Sequence, residues 1–412
     1  MAPQIDPARL LSDLRTLRSF GACGTGVVRQ AFSDIDMAAR RWLAGRMTEA
    51  GLETRIDGVG NVVGRSPNSG RALVMGSHTD TQPRGGWLDG ALGVIYALEV
   101  ARALAEDGAS AHLPVDIGSW MDEEGSYLGC LGSASFTGTL SDEEIRAATN
   151  RNGRSVAEAL EEAGLADVAP ARLDPDRHRA YLEAHIEQGP VLEAEGKRIG
   201  VVTSIVGVRT FILTFSGQQN HAGTTPMALR RDAGDALIVL AARLREAMRA
   251  LLAERTVFTI GRVALDPGAD SIIPGRAEMS LQIRDADEAQ LDRMAAAIRR
   301  LVAEANEAGP VEVDLAESAN GLKGALMDEG LQDHLAAAAE RHAPGGWMRM
   351  PSGAAHDAQI FARRLPAAML FVPSIGGISH DFAEDTAEAD IVLGCQVLTS
   401  AAAAVLRELN AN

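Results

Sequence analysis

Apolar residues follow two different rhythms along the chain. In the first, short apolar runs alternate with stretches of helical periodicity. Ile35–Ala50 is a helical stretch stopped by Gly51, and Leu92–Ala105 is another. Arg71–Ser77 and Val115–Met121 are continuous apolar runs of the length of buried strands. This alternation predicts an α/β domain with a mainly parallel sheet covered by helices on both faces. Such sheets bind ligands beyond the carboxyl ends of their strands. Chemistry is therefore expected just after these two runs.

The second rhythm begins near residue 208. Val208–Phe215, Val257–Val263, Ala277–Ile283 and Val311–Leu315 read as strands, while Asp232–Leu252 and Ala286–Ala305 read as helices. The order β-α-β-β-α-β is that of a ferredoxin-like unit. It predicts a complete α+β domain at 208–325, inserted into a discontinuous domain formed by 1–207 and 326–412. The first rhythm then resumes with helices at Leu331–Arg341 and Ala355–Arg363, a strand at Ala367–Val372 and a long helix from Ile391.

Composition narrows the function classes. The chain has 412 residues, 46% of them hydrophobic, enough for more than one core. A formal net charge of −17 argues against a nucleic-acid partner, which needs a basic face. It leaves open a small anion met by a local arginine. No uninterrupted apolar run reaches the roughly 18 residues of a membrane span. The opening Met-Ala-Pro-Gln-Ile-Asp-Pro lacks the basic and apolar regions of a secretory signal. Cys23, Cys130 and Cys395 are widely spaced, so they are read as small core residues in a reducing cytoplasm.

Five residues can be read together as a two-metal hydrolytic centre. His78 closes the first apolar run, and Glu124 follows the second. Asp89 lies in Trp-Leu-Asp-Gly, His185 in Glu-Ala-His-Ile-Glu-Gln-Gly and His380 in Gly-Ile-Ser-His-Asp. Imidazoles and carboxylates are ligands for divalent cations, and an aspartate can bridge two of them. Asp80 is expected to accept the second ring N–H of His78 through its carboxylate. Glu123 would then be a general base beside activated water. Singly, each residue has a bland reading: a packed histidine, a solvated glutamate pair. The joint placement is what is specific. His112, His178, His334 and His342 lack such surroundings and are assigned to surface or packing roles.

The segments Gly-Ser-His-Thr-Asp (76–80), Leu-Asp-Gly-Ala-Leu-Gly-Val (88–94), Glu-Glu-Gly (123–125), His-Ile-Glu-Gln-Gly-Pro-Val-Leu-Glu (185–193), Asn-His-Ala-Gly-Thr-Thr-Pro-Met (220–227), Ser-Gly-Ala-Ala-His-Asp-Ala (352–358) and Gly-Ile-Ser-His (377–380) resemble the M20 metallopeptidase superfamily. Within it they are most similar to the amidase, hydantoinase and carbamoylase branch. The resemblance implies that Asp89 bridges two ions, with His78 and His185 on one and Glu124 and His380 on the other. Zinc and manganese are the leading metals, with cobalt and nickel also compatible. Glu123 would be the general base and acid. His221, on an inserted lid domain, would stabilise the oxyanion, and Arg284 would pair with a substrate carboxylate. The bland reading of Arg284 is an ion pair with Asp285 or Asp287. Gln188, His356 and Ser271 are implied to lie close to the substrate. A homodimer formed through the lid is a further implication.

Some positions depart from the branch pattern. Val208 stands where carbamoylases carry glutamine, and Ser271 where they carry asparagine. Tyr127 replaces an arginine and Asp122 an asparagine. A site that discriminates by paired polar groups changes specificity when they change. Hydrolysis of an N-carbamoyl-L-amino acid or a ureido acid such as allantoate therefore stands beside two alternatives. One is an N-acyl amino acid deacylase or dipeptidase, and the other a catalytically silent binding protein.

Overall fold

The computed structural model describes residues 3–253, 256–318 and 321–411. The chain divides into two compact units, one running up to Ile205 and resuming at Leu326, the other Val206–Ala325.

The first unit is built on a nine-stranded sheet. Ala72–His78 runs parallel to Val115–Trp120 on one side and to His178–Ile186 on the other, and Ala367–Val372 lies parallel beyond the latter. Every residue of Ala72–His78, Val115–Trp120 and Ala367–Val372 is buried, as expected of strands covered on both faces. The flanks reverse direction. Val62–Arg65 is antiparallel to Val115–Trp120, Glu53–Ile56 to Val62–Arg65, and Ile199–Ile205 to Ala367–Val372. The expected mainly parallel sheet is thus a mixed one, with a parallel centre of four strands. The outer strand Glu53–Ile56, which thereby returns to the direction of the centre, alternates in exposure, as a half-solvated edge permits.

Helices cover this sheet. Ala91–Glu106 is buried from Ala91 to Leu104 and packs on Ala72–His78. The helix Glu388–Leu409 has 22 residues and, with a mean hydropathy of 1.7 over an 18-residue window, is long and apolar enough by length and composition alone to cross a membrane. Packing against Ala91–Glu106 and Glu329–His342 accounts for that apolarity, since 67% of its apolar window is buried in the fold. The helix expected at Ala355–Arg363 is only Asp357–Phe361, because His356 is extended at φ −151° and ψ 160°. Cys130 and Cys395 are buried, but Cys23 is exposed and is no core residue.

The second unit has four antiparallel strands in the order Val257–Asp266, Arg276–Asp285, Gly207–Ser216, Glu312–Glu317. Helices Ala233–Ala250 and Glu288–Ala308 supply the β-α-β-β-α-β succession. Phe211, Leu213 and Phe215 alternate along one strand and meet Leu237, Leu240, Leu291 and Met294 of the two helices. That alternation assigns one sheet face to the core and leaves Gln282 and Arg284 on the other.

Candidate metal centre

Two histidines stand at the carboxyl ends of central strands. His78 ends its strand opposite Trp120, and His185 lies opposite Phe371. Both are almost fully buried. His78 Nδ1 lies 3.0 Å from the Asp80 carbonyl, and His185 Nδ1 2.9 Å from the Ile186 carbonyl. A carbonyl only accepts, so each Nδ1 carries a proton and each Nε2 of the neutral ring offers a lone pair. The Gly90 amide also donates to His185 Nε2, at 3.0 Å. That Nε2 faces Asp89 Oδ1 at 3.2 Å, and His78 Nε2 lies 3.9 Å from the same oxygen. Gly90 has φ +64°, and a Cβ there would sit 2.4 Å from the His78 ring. Only glycine lets the Asp89 turn approach this closely.

The expected role of Asp80 needs correction. Its carbonyl, not its carboxylate, receives the His78 ring, since Asp80 Oδ1 lies 3.8 Å from Nδ1. The carboxylate instead accepts the Glu124 amide at 3.2 Å and faces the buried Arg40 guanidinium at 3.7 Å. The charge of Arg40 supplies the reason for that orientation.

The other half of the cluster rides on turns. Asp122 accepts the amides of Ser126, Tyr127 and Leu128 at 2.6, 2.9 and 2.8 Å. These bonds fold the chain directly behind the glutamate pair and turn both carboxylates toward one cluster. Glu123 Oε2 comes within 3.6 Å of His78 Nε2, and its Oε1 lies 3.9 Å from the Cys130 thiol. Glu124 Oε2 receives Gln82 Nε2 at 2.7 Å and lies 3.7 Å from His380 Nε2, which is itself 3.3 Å from Asp89 Oδ2. Gln188 Nε2 sits 3.2 Å from Asp89 Oδ1, Ser379 Oγ and His380 Nε2 alike. Asp122, Cys130, Gln188 and His380 all have φ between 55° and 58°, and Phe32 is the one other described non-glycine residue with positive φ. Backbone strain of this kind concentrates at functional sites.

His78, Asp89 and His185 form one group of potential ligand atoms within 4.8 Å of one another, and Asp89, Glu124 and His380 form a second. Asp89 belongs to both. Asp89 Oδ2 and Glu124 Oε1 are buried and accept no hydrogen bond from protein. Burial, then the Glu124 charge, pushes the Glu123 carboxyl well up, and burial, then Asp89, does the same to Glu124. Burial would also raise Asp89, but the His185 and His380 imidazoles hold it well below the usual carboxylate range. Orphaned carboxylate oxygens facing imidazole lone pairs are what a divalent cation satisfies, so the donor set fits one.

Sequence reasoning missed several residues of this cluster. Glu384, buried, accepts the amides of Leu88 and Asp89 at 3.3 and 3.0 Å and the Ser379 hydroxyl at 2.8 Å. Burial, then the Asp89 charge, pushes it up to about 7. The available signals were a glutamate four residues after His380 and, for Gln82, a glutamine four after His78. Tyr127 packs edge-on against Phe32, with ring centroids 5.5 Å apart, inside an apolar cluster with Met121 and Leu131. His356 stands edge-on to His185 with centroids 4.6 Å apart, and its Nε2 lies 2.8 Å from Ser352 Oγ.

His221, Ser271 and Arg284 belong to the second unit. Asn220–His221 pairs with Ile272–Ile273, and the Ser271 carbonyl accepts the Ala222 amide at 3.0 Å. The amides of Gly223 and Thr224 donate to His221 Nδ1 at 2.9 and 3.2 Å, so the ring proton of the neutral, exposed imidazole resides on Nε2. Arg284 Nε donates to Gln282 Oε1 at 2.8 Å. Its cross-strand neighbours are Val208 and Val257. Burial lowers its guanidinium from the ordinary value.

Comparison with known proteins agrees with this geometry. The sequence pattern of Peptidase family M20/M25/M40 matches residues 74–404. An N-carbamoyl-L-amino-acid amidohydrolase of Paenarthrobacter aurescens is 35% identical over 404 residues, 95% of this chain and 96% of that protein. An allantoate amidohydrolase of Bacillus subtilis is 34% identical, over 93% of this chain and 94% of its own. Among solved structures, an amidase of the hydantoinase/carbamoylase family from Burkholderia phymatum matches with a TM-score of 0.88 and 55% identity, covering 100% of both chains.

Proposed function

The chain belongs to peptidase family M20/M25/M40, and on that premise we propose that it is a metal-dependent amidohydrolase cleaving a linear C–N bond of a small, carboxylate-bearing molecule. The substrate in this reading is an N-carbamoyl-L-amino acid or a related ureido acid such as allantoate. The observation that carries the reading is Asp89, shared between two ligand groups, with Glu123 beside them in neither group. His78, Asp89 and His185 would hold one divalent ion, and Asp89, Glu124 and His380 a second, zinc or manganese foremost. When bound, such ions lower the pKa of water and polarise a carbonyl.

The chain's own residues then have distinct tasks. Glu123 takes a proton from the attacking water and returns it to the leaving nitrogen as the C–N bond breaks. His221 Nε2–H donates to the developing oxyanion, and Arg284 pairs with the substrate carboxylate. With a ureido substrate, the carbamate released decays to ammonia and carbon dioxide. The buried free thiols of Cys130 and Cys395 are compatible with a reducing cytoplasm. The edge strand Val257–Asp266, which exposes Val257, Val263 and Leu265, supports a homodimer formed through the second unit.

One observation favours a second reading. Val208 places an apolar side chain beside Arg284, where the carbamoylase pattern has glutamine. That suits an N-acyl amino acid or a dipeptide. The test is ammonia and amine release by manganese- or zinc-loaded protein from N-carbamoyl-L-amino acids, 3-ureidopropionate, allantoate, ureidoglycolate, N-acetyl amino acids and dipeptides. A ureido substrate should turn over, and Glu123→Gln should lower kcat by about 10²–10⁴-fold with bound metal unchanged. Turnover of acyl or peptide substrates alone would shift the assignment to the second reading. No turnover of any of them would sink both.

A further inference from the structure

Two irregular loops carry ligands that regular structure does not fix. One, 79–90, brings Asp89, and the other, 373–387, brings His380. The carboxylate of Glu384 joins them. Glu384 Oε1 accepts the backbone amides of Leu88 and Asp89, and Oε2 accepts the hydroxyl of Ser379, the residue before His380. Trp87 Nε1 adds a bond to Asp385 at 3.2 Å. The first loop is shaped to receive this group, since a Cβ on Gly86 would lie 1.8 Å from Glu384 Oε1. Gly86 has no left-handed backbone to explain it, so the close approach of Glu384 is the constraint.

We propose that Glu384 is a positioning residue that locks the Asp89 and His380 loops together and so makes the site of Asp89, Glu124 and His380 a preformed one. The inference rests on the two-ion reading above. Without this carboxylate, ordering the His380 loop is charged against metal binding at that site. The site of His78 and His185 is affected less, because two strands and two backbone carbonyls already orient those rings. Partners of this kind typically change metal affinity by about 10–100-fold when removed.

Glu384→Gln keeps the volume but turns one donor-bearing amide edge toward its partners. Gly86→Ala leaves Glu384 chemically intact and displaces it. Manganese titration of the metal-free whole protein, with free ion read by electron paramagnetic resonance, separates the outcomes. Wild type should bind two ions. Each variant should bind one ion with near wild-type affinity and the second about 10–100-fold more weakly. The metal-free melting temperature should hold, and excess manganese should restore kcat. In the double variant the two effects should not add, because both act through one group. Two ions at wild-type affinity in both variants would overturn the proposal, as would equal weakening of both ions with a lowered metal-free melting temperature. A wild type that binds fewer than two ions would overturn the two-ion reading, and this inference with it.

Discussion

The two halves of the candidate metal centre are held by different means. His78 and His185 sit on central strands, are buried, and have their rings fixed by backbone carbonyls. Glu124 and His380 sit on turns, and the His380 side chain is 49% exposed on a backbone with φ +55°. The strand-borne half is ordered by the same burial that stabilises the sheet. The loop-borne half depends on side chains of other segments, Gln82, Asp80 and Gln188, and on Glu384 of the His380 loop itself. Asp89 alone belongs to both. The difference teaches that a site with two ions need not have one stability. On the two-ion reading proposed above, the second ion can be tuned by residues that never touch it.

Removing the shared ligand should erase the distinction and give the largest effect. Asp89→Ala is expected to lose both ions together, and activity should fall by more than the about 10²–10⁴-fold of losing a general base alone. Metal analysis of the purified variant checks this. Retention of one tightly bound ion would mean that the halves are independent.

Removing one ligand from each half should sharpen the contrast. His185→Ala opens a hole beside His356 and Phe371 and should cost roughly 2–3 kcal/mol, besides one ion. His380→Ala, half exposed, should change metal-free stability by no more than about 0.5 kcal/mol while also losing one ion. Denaturant unfolding of both metal-free variants provides the comparison. Equal destabilisation would show that the loop-borne half is as integral to the fold as the strand-borne half.

What could be read from the sequence does not follow this division. His78 and Glu124 were legible because each follows an apolar run whose end is the ligand-binding edge of a sheet. Strand direction was not, because apolar periodicity records burial and not polarity. The reversed strand Ile199–Ile205 was missed in an apolar stretch that runs on into Gly207–Ser216. The misreading of Asp80 has a non-local cause: whether carbonyl or carboxylate meets His78 is decided by Arg40, which belongs to the separate helix Asp34–Glu49. The role of Glu384 was missed for the same reason, although its spacing from His380 was visible. Its bond to the Asp89 amide spans 295 positions, and no local pattern encodes a contact between two irregular loops.

Val208 provides the smallest expected effect and carries the comparison into the second unit. There Arg284 lies on a regular strand between Val208 and Val257, so its surroundings, like those of His78, follow from sheet register. Val208→Gln should therefore place an amide beside the guanidinium without repacking the helix-covered core. Val208 is largely buried, so the new amide should cost about 1–3 kcal/mol of stability unless it finds a partner. If Val208 sets specificity, kcat/KM for an N-carbamoyl-L-amino acid should rise about tenfold relative to the N-acetyl amino acid, the worth of one good polar contact. An unchanged ratio with an unchanged melting temperature would mean that the glutamine is accommodated but lies apart from the substrate. Substrate choice would then have to reside in residues other than this strand pair.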